Sequence, residues 1–236
     1  MRIVKDLPLD RPAGAPPIMT RNAATDDPAT DDEGGQPLAT FLIDLSPADM
    51  QNRLGEALTV YVDAMGYPRG TEGQRASMWL EHTRRAGWRG VAAVDLPDAD
   101  AQVPDAGRFS VGRLLGVAYG YRGAPDQWWQ QQVVRGLRHF GFPHSEIGRL
   151  MGDYFELTEL HIHPSAQGRG LGEALARRLL SDRPEAHVLL STPEINDQPN
   201  RAWRLYRRLG FTDVIRGYHF AGDPRAFAIL GRALPL

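Results

Sequence analysis

The six residues Gln167-Gly168-Arg169-Gly170-Leu171-Gly172 lie between a strand-like run, residues 154–163, and an amphipathic segment with helical spacing. Glycines in a strand-to-helix turn let the backbone approach a ligand closely and point successive N–H groups at one place. The helix that follows adds the positive end of its dipole. The stretch is therefore typical of a site that holds phosphate through backbone groups.

Two common phosphate-binding loops do not fit this stretch. The dinucleotide fingerprint Gly-x-Gly-x-x-Gly, counted from Gly168, needs a glycine where the chain has Glu173, and counting from Gly170 also yields no third glycine. A P-loop needs Gly-Lys-Ser/Thr, but the only lysine of the chain is Lys5. The remaining pattern, Gln-x-x-Gly-x-Gly, leaves two interpretations open: a phosphate-binding loop or a tight turn without a ligand.

The sequence on either side of the loop resembles the GNAT superfamily of acyl-CoA N-acyltransferases. ELTELHIHP, residues 156–164, is similar to the family's fourth strand, and QGRGLG is similar to its pyrophosphate loop. RAWRLYRRLGF, residues 201–211, is similar to its Ala-x-x-Leu-Tyr-x-x-x-Gly-Phe helix. The resemblance runs from about Tyr154 to Phe211. It implies a mixed α/β fold, in which helices flank a central, twisted, mixed sheet.

The resemblance also implies which residues bind the acyl donor, acetyl-CoA. Backbone amides of the loop would hold its pyrophosphate, and these belong to Gln167, Gly168, Arg169, Gly170, Leu171 and Gly172. Leu160, His161 and Ile162 would pair their backbone with the pantetheine arm as with an added strand. The family often has an asparagine before its last conserved helix, and Pro199 stands at that position here. Asn200, with Asn196 as the alternative, is then the candidate contact.

Two glutamates on the strand before the loop are candidates for a general base. A lysine-like amine, with a pKa of about 10.4, is mostly protonated at pH 7, whereas an α-amino group near 8 needs little help to become neutral. Glu156 and Glu159 are three residues apart, so on a regular strand they face opposite sides unless a bulge intervenes. Glu156 is favoured because, 11 residues before Gln167, it matches the base of the histone-type members. A structural, hydrogen-bonded carboxylate is the alternative.

Tyr206 occupies the family's general-acid position, from which it would protonate the leaving thiolate. It follows Ala202 by four residues and Trp203 by three, so on a helix it shares their inward face. A buried core tyrosine is the alternative. The backbone N–H of Leu160 or His161 is the candidate donor to the tetrahedral oxyanion.

No metal is expected at the site. His161 and His163 lie on one side of a strand without a third ligand nearby, and we predict ordinary, partly exposed histidines.

The composition excludes several other classes of protein. The 27 basic and 29 acidic residues give a net charge of −2, which argues against a general nucleic-acid binder. No cysteine is present, so a disulfide, a thiolate metal site and a cysteine nucleophile are excluded. No apolar run is long enough for a membrane span, and the N-terminus lacks the apolar region of a secretory signal. We therefore expect a cytoplasmic protein that associates with neither membranes nor nucleic acid.

The chain divides into an acidic tail, residues 1–37, predicted to be disordered or loosely packed, and one domain, residues 38–236. Ser46 and Pro47 begin a helix that Gly66 should end, and a second helix is predicted from Gln74 to Ala86. Residues 124–152 form a predicted insertion with one or two helices. Within it, Trp128 and Trp129 are both expected to serve core packing, and the alternative is that one of them walls the acceptor pocket.

Two hypotheses about function follow from the sequence. The first is an enzyme that transfers an acetyl group from acetyl-CoA to a primary amine, by direct attack in a ternary complex. The second is a non-catalytic module that binds acyl-CoA as a sensor. The sequence does not identify the acceptor, which is either a small-molecule amine or a protein amine. It does not determine the oligomeric state either, and a homodimer is one possibility.

Overall fold

The computed structural model describes residues 38–97, 112–194 and 201–236. The predicted tail, residues 1–37, lies outside the described residues, as do Asn196, Pro199 and Asn200.

Seven strands form a single mixed sheet. Neighbouring strands are antiparallel throughout, except for one parallel pair in the middle. In chain order the strands are β1 (Leu38–Leu45), β2 (Arg89–Pro97), β3 (Arg113–Arg122), β4 (Tyr154–Ile162), β5 (His187–Pro193), β6 (Thr212–Tyr218) and β7 (Phe227–Ala233). Their order across the sheet is β1-β2-β3-β4-β5-β7-β6, and the parallel pair is β4 and β5. The α/β class with a central mixed sheet is thereby confirmed.

Seven helices flank the sheet in the described part of the chain. They are α1 (Pro47–Asn52), α2 (Leu54–Met65), α3 (Gly73–His82), α4 (Trp128–His139), α5 (His144–Gly152), α6 (Leu171–Leu180) and α7 (Arg201–Arg208). Within those same ranges, no helix combines the length and the apolar character that crossing a membrane requires.

The core lies on both faces of the sheet. Successive strand residues alternate between the faces, so on β2 Val91 and Ala93 pack with α6, whereas Ala92 and Val94 pack with α2 and α3. Helices α4 and α5 cover the other half of the α2–α3 face, over β5, β6 and β7. All of these strand positions are fully buried, which places both sides of the central strands in apolar surroundings.

The predicted first helix is in fact two helices. Ser46 accepts a hydrogen bond from the Asp49 amide, and the Asp49 carboxylate accepts one from the Ser46 amide, which confirms the predicted start. The helix breaks at Arg53, whose φ of −117° is not helical, and resumes as α2 until Gly66, at φ 66°, ends it. The helix predicted to reach Ala86 ends at His82, and a series of turns leads into β2.

Helices α4 and α5 connect β3 to β4, which are adjacent antiparallel strands that a short turn could join. They confirm the helices predicted within residues 124–152. They pack through apolar side chains that include Val133, Leu137, Ile147 and Met151. This helical connection places α4 over β5–β7, next to the site described below.

Candidate active site

The centre of the sheet opens where β4 and β5 separate. The two strands pair only from Tyr154 to Glu156 on β4, which face His187 to Leu189 on β5. From Leu157 to Ile162, β4 continues to pair with β3 alone, so the backbone groups on its other edge remain available to a ligand. The opening forms part of a cavity of about 1270 Å³.

A β-bulge in β4 brings the two candidate bases to one face. Tyr119 on β3 pairs with Glu159, but its neighbour Gly120 pairs with Leu157, so Thr158 is an extra residue on β4. The extra residue reverses the alternation of side chains, and Glu156 and Glu159 both line the cavity. The bulge is the exception that the sequence left open to the rule that strand residues three apart face opposite sides.

A glycine permits the close approach of the two strands at this bulge. A Cβ on Gly120 would lie 2.1 Å from the carbonyl oxygen of Glu156, which is closer than any real side chain comes. The bulge therefore depends on this glycine.

Glu156 is a buried carboxyl group with one free oxygen. Its residue is only 3% exposed, and the hydroxyl of Tyr121 donates to its Oε1 over 3.2 Å. Its Oε2 is buried and has no hydrogen-bond partner among the described residues. Burial raises the pKa of Glu156 to about 8, although the positive charge of Arg85 acts in the opposite direction. A carboxyl group of this kind can take a proton from a cationic amine near neutral pH.

Glu159 and His161 form a close pair on the same face. The Oε2 of Glu159 lies 2.5 Å from the Nε2 of His161, and the imidazole ring meets the Tyr61 ring edge-on at 4.9 Å. His161 is 9% exposed, so the prediction that it is partly exposed was wrong, because Tyr61 of α2 and Trp79 of α3 pack against its ring. His163 is half-buried and lies 3.4 Å from Asp63. Within the described ranges, no group of three His, Asp or Glu side chains is placed to hold a metal ion.

The glycine loop follows β4 after one short 3₁₀ turn, Pro164–Ala166, and leads into α6. Gly168 and Gly170 have φ angles of 83° and 79°, a left-handed conformation that favours glycine. Gly170 is the N-cap of α6, so the free N–H groups of the first helical turn lie beside the cavity. The loop therefore has the backbone geometry of an anion-binding turn.

Side chains hold this loop in place from both sides. The amide Nε2 of Gln167 donates to the Ile162 carbonyl over 3.2 Å, and its Oε1 accepts from Arg201 over 2.9 Å. The guanidinium of Arg169 lies away from the cavity and donates to the Thr40 hydroxyl over 2.6 Å. Only the backbone of Arg169 can therefore meet a ligand bound in the loop.

Tyr206 reaches the cavity from α7 on the other side of the opening. It is buried, its ring packs against Phe211 at 5.6 Å, and its hydroxyl has no hydrogen-bond partner among the described residues. Burial raises the pKa of Tyr206 above its usual value, and the charge of Glu159 adds to the effect. The Nε1 of Trp203 donates to the Pro193 carbonyl over 3.1 Å, which ties α7 to the end of β5. The inward orientation predicted from helical spacing is confirmed.

Residues that sequence reasoning missed complete the wall opposite the loop. Tyr121 lies on β3 next to Glu156, and His82 at the end of α3 bonds through its Nδ1 to the Tyr119 hydroxyl over 3.0 Å. Burial lowers the pKa of His82 to about 4, so the ring is neutral at pH 7. No motif indicated these residues, because β3 and α3 reach β4 only through long-range pairing.

The two tryptophans of α4 differ in their surroundings. Trp129 is buried, and its Nε1 donates to the Ser191 hydroxyl over 3.2 Å. Trp128 is 51% exposed, contacts the tilted ring of Phe220 at 5.6 Å and lines the cavity. The core-packing prediction is confirmed for Trp129 and wrong for Trp128, since adjacent helical residues point about 100° apart.

Comparisons with known proteins identify the family to which the sequence is similar. A family model for the acetyltransferase (GNAT) domain matches residues 131–213, which run from α4 through the loop to β6. The chain is 69% identical over 206 residues to the GCN5-like protein acetyltransferase Rv2170 of Mycobacterium tuberculosis, which covers 84% of this chain and 100% of that protein.

Solved structures show the same fold at low sequence identity. A GNAT-family protein of Desulfovibrio desulfuricans is 15% identical, with a TM-score of 0.51 over 84% of this chain and 99% of the other. Arabidopsis thaliana NAA60, solved in complex with acetyl-CoA, is 19% identical, with a TM-score of 0.50 over 84% and 99% of the two chains.

Proposed function

Because the chain belongs to the GNAT family of acetyltransferases, we propose that it transfers an acetyl group from acetyl-CoA to a primary amine. The transfer is a direct attack within a ternary complex. One observation carries the proposal: a single cavity joins the unpaired edge of β4, the glycine loop and the free carboxylate oxygen of Glu156. Membership in the family makes the chain an acyltransferase, which disfavours the alternative of a non-catalytic sensor.

The described residues fit a CoA thioester. The N–H groups from Gln167 to Gly172 would hold the pyrophosphate, aided by the helix dipole of α6. The open edge of β4, at Leu160, His161 and Ile162, would pair with the amides of the pantetheine arm. Arg201, Arg204 and Arg208 also line the cavity on the α7 side, where they would add positive charge for further phosphate.

Glu156 would take the proton from the attacking amine. In the reaction a bond forms between the amine nitrogen and the acetyl carbon, and the carbon–sulfur bond breaks. The proton lost by nitrogen passes to the free oxygen of Glu156, directly or through a water molecule. Glu159 is the second candidate base, but its carboxylate is already engaged by His161.

Tyr206 would supply the proton to the leaving sulfur. Its hydroxyl has no partner among the described residues, so no hydrogen bond must break before it donates. The backbone N–H of Leu160 or His161, on the unpaired edge after the bulge, would stabilise the negative oxygen of the tetrahedral intermediate.

We propose a protein amine as the acceptor. The relative with 69% identity carries the name of a protein acetyltransferase. A lysine side chain is the protein amine that most needs a base, since it is almost fully protonated at neutral pH. A general base such as the buried Glu156 would therefore matter more for a lysine acceptor than for an α-amino group, which loses its proton more easily.

Release of free thiol from acetyl-CoA, measured against a panel of lysine peptides, N-terminal peptides and small amines, tests this function. We expect turnover with at least one lysine peptide, together with a mass gain on the peptide. If no amine raises thiol release above the background hydrolysis rate, transfer to amines is wrong.

A further inference from the structure

Three arginines on the α3 side and in the connection between β6 and β7 line the same cavity as the candidate bases. They are Arg75 on α3, Arg85 just after α3, and Arg225 between β6 and β7. Their contacts show which of the three guanidinium groups is not paired with a carboxylate and can bind an anionic ligand.

Two of the three are already neutralised by carboxylates. The guanidinium of Arg85 lies 3.0 Å from Glu81 and covers the Tyr121 ring at 4.6 Å. Arg225 holds both oxygens of Asp223, over 2.9 and 2.7 Å, and also donates to the Tyr67 hydroxyl. Neither side chain is free to bind a further anion without losing these partners.

Within the described part of the chain, Arg75 contacts no carboxylate, although its positive charge still helps to lower the pKa of Asp223, which Arg225 holds. Its guanidinium contacts the Met78 sulfur at 3.9 Å and lies 5.7 Å from the centre of the Tyr61 ring. Among residues 38–97, 112–194 and 201–236 it forms no ion pair with a carboxylate. The same Tyr61 ring also meets, edge-on at 4.9 Å, the imidazole of His161, the partner of Glu159. Arg75 is therefore about one tyrosine ring away from the face that carries both candidate bases.

A guanidinium that contacts no carboxylate in a partly enclosed cavity prefers a carboxylate over any neutral or cationic group. Its planar donors match the two carboxylate oxygens, and the attraction is stronger than in open water because the cavity walls displace solvent. The same charge repels an acceptor that has a second cation at this point.

We infer that Arg75 selects acceptor amines with a carboxylate near the reacting nitrogen, which in a protein means a lysine beside an acidic residue. The inference rests on the proposed function and specifies the substrate class of the same site. It does not involve the acyl donor, which the glycine loop would hold at the other end of the cavity.

Conjugates in which the lysine ε-amine is joined to the CoA sulfur through an acetyl bridge test the inference without requiring turnover. Two peptides are compared by calorimetry: one has glutamate on both sides of the lysine, and the other has glutamine. We expect the wild-type protein to bind the glutamate conjugate about tenfold more tightly. Raising the salt concentration should narrow this difference.

Arg75→Gln should remove the difference between the two conjugates while the glutamine conjugate binds as before. Arg84→Gln is the matched control, because Arg84 is an exposed arginine just beyond α3 that does not line the cavity. It should keep the full difference. CoA affinity and the thermal unfolding temperature of each variant verify that the fold is intact.

Equal binding of the two conjugates by the wild-type protein would overturn the role of Arg75, and so would a preference that survives in Arg75→Gln. Failure of the protein to bind either conjugate, or CoA itself, is a different result. It would overturn the proposed function and, with it, the premise of the inference.

Discussion

Glu156 combines burial, a raised pKa and an oxygen without a partner, and such a carboxyl group is costly to keep in a folded protein. A carboxylic acid with a pKa of about 8 is mostly protonated at pH 7, and only the deprotonated form accepts a proton. The active fraction of Glu156 therefore increases with pH and levels off above about 8. The burial of Glu156 thus gives the site a general base whose pKa is suited to a cationic amine near neutral pH.

We predict that kcat/KM for a lysine peptide rises with pH through about 8, and that Glu156→Gln lowers it by about 10²-fold or more. The titration of the acceptor amine itself remains in both proteins. The variant should therefore lose only the part of the profile that belongs to Glu156. Steady-state rates across the pH range measure both effects.

Glu159→Gln is the matched comparison for this experiment. It should reduce the rate less, because Glu159 is bound to His161. A larger loss in Glu159→Gln, with an unchanged profile in Glu156→Gln, would transfer the role of base to Glu159.

Tyr206→Phe removes a hydroxyl but keeps the ring that packs on Phe211. We expect kcat to fall about tenfold with little change in the affinity for acetyl-CoA, because a thiolate with a pKa near 8.5 needs only modest help to leave. Single-turnover rates and a binding titration separate the two quantities. An unchanged rate would exclude Tyr206 from the mechanism.

Tyr218→Phe is the control for Tyr206→Phe. Tyr218 is a buried tyrosine outside the cavity, and its hydroxyl donates to the Gln132 carbonyl over 2.8 Å. Its loss should cost about 1 kcal/mol of stability and leave kcat unchanged.

At the scale of elements, the turn between β4 and α6 brings together the backbone N–H groups that would bind an anion at the N-terminus of α6. Gly170 is its N-cap, with φ at 79° and no atom within 4 Å of where a Cβ would be. We predict that Gly170→Asp weakens CoA binding about 100-fold, since it sets a negative charge against the pyrophosphate. Calorimetric titration with CoA measures the change.

Gly170→Asn separates charge from backbone conformation. Asparagine has nearly the same shape and tolerates the left-handed conformation about as well, so it carries the strain without the charge. We expect it to retain most of the affinity. Normal CoA binding by a folded Gly170→Asp variant would refute the assignment of the loop.

Elements with local signals could be predicted from the sequence. The Ser46 cap, the glycine that ends α2, the strand–loop–helix unit around Gly170 and the inward side of Tyr206 all follow from residues a few positions apart. Local preferences of this kind are enough to place short elements in order. The break at Arg53 was missed because apolar residues continue at helical spacing through it.

At the scale of the whole molecule, the sequence signals were weakest where distant strands meet. The bulge at Thr158 exists only in the pairing of β4 with β3, and Gly120, which permits it, is far away in the chain. The burial of His161 likewise depends on α2 and α3. The position of Arg75 in the same cavity as the candidate bases is set by the same long-range packing, so no motif could have indicated it.

The unpaired edge of β4 has a thermodynamic consequence for the protein as a whole. A ligand that binds only the native state shifts the unfolding equilibrium, by about 2.7 kcal/mol when its free concentration is 100 times its dissociation constant. A CoA thioester that completes the sheet from Leu157 to Ile162 would have this effect. The rate at which proteases degrade the protein would then increase when the concentration of its acyl donor falls. Scarcity of the donor would thus lower both the amount of enzyme and its rate.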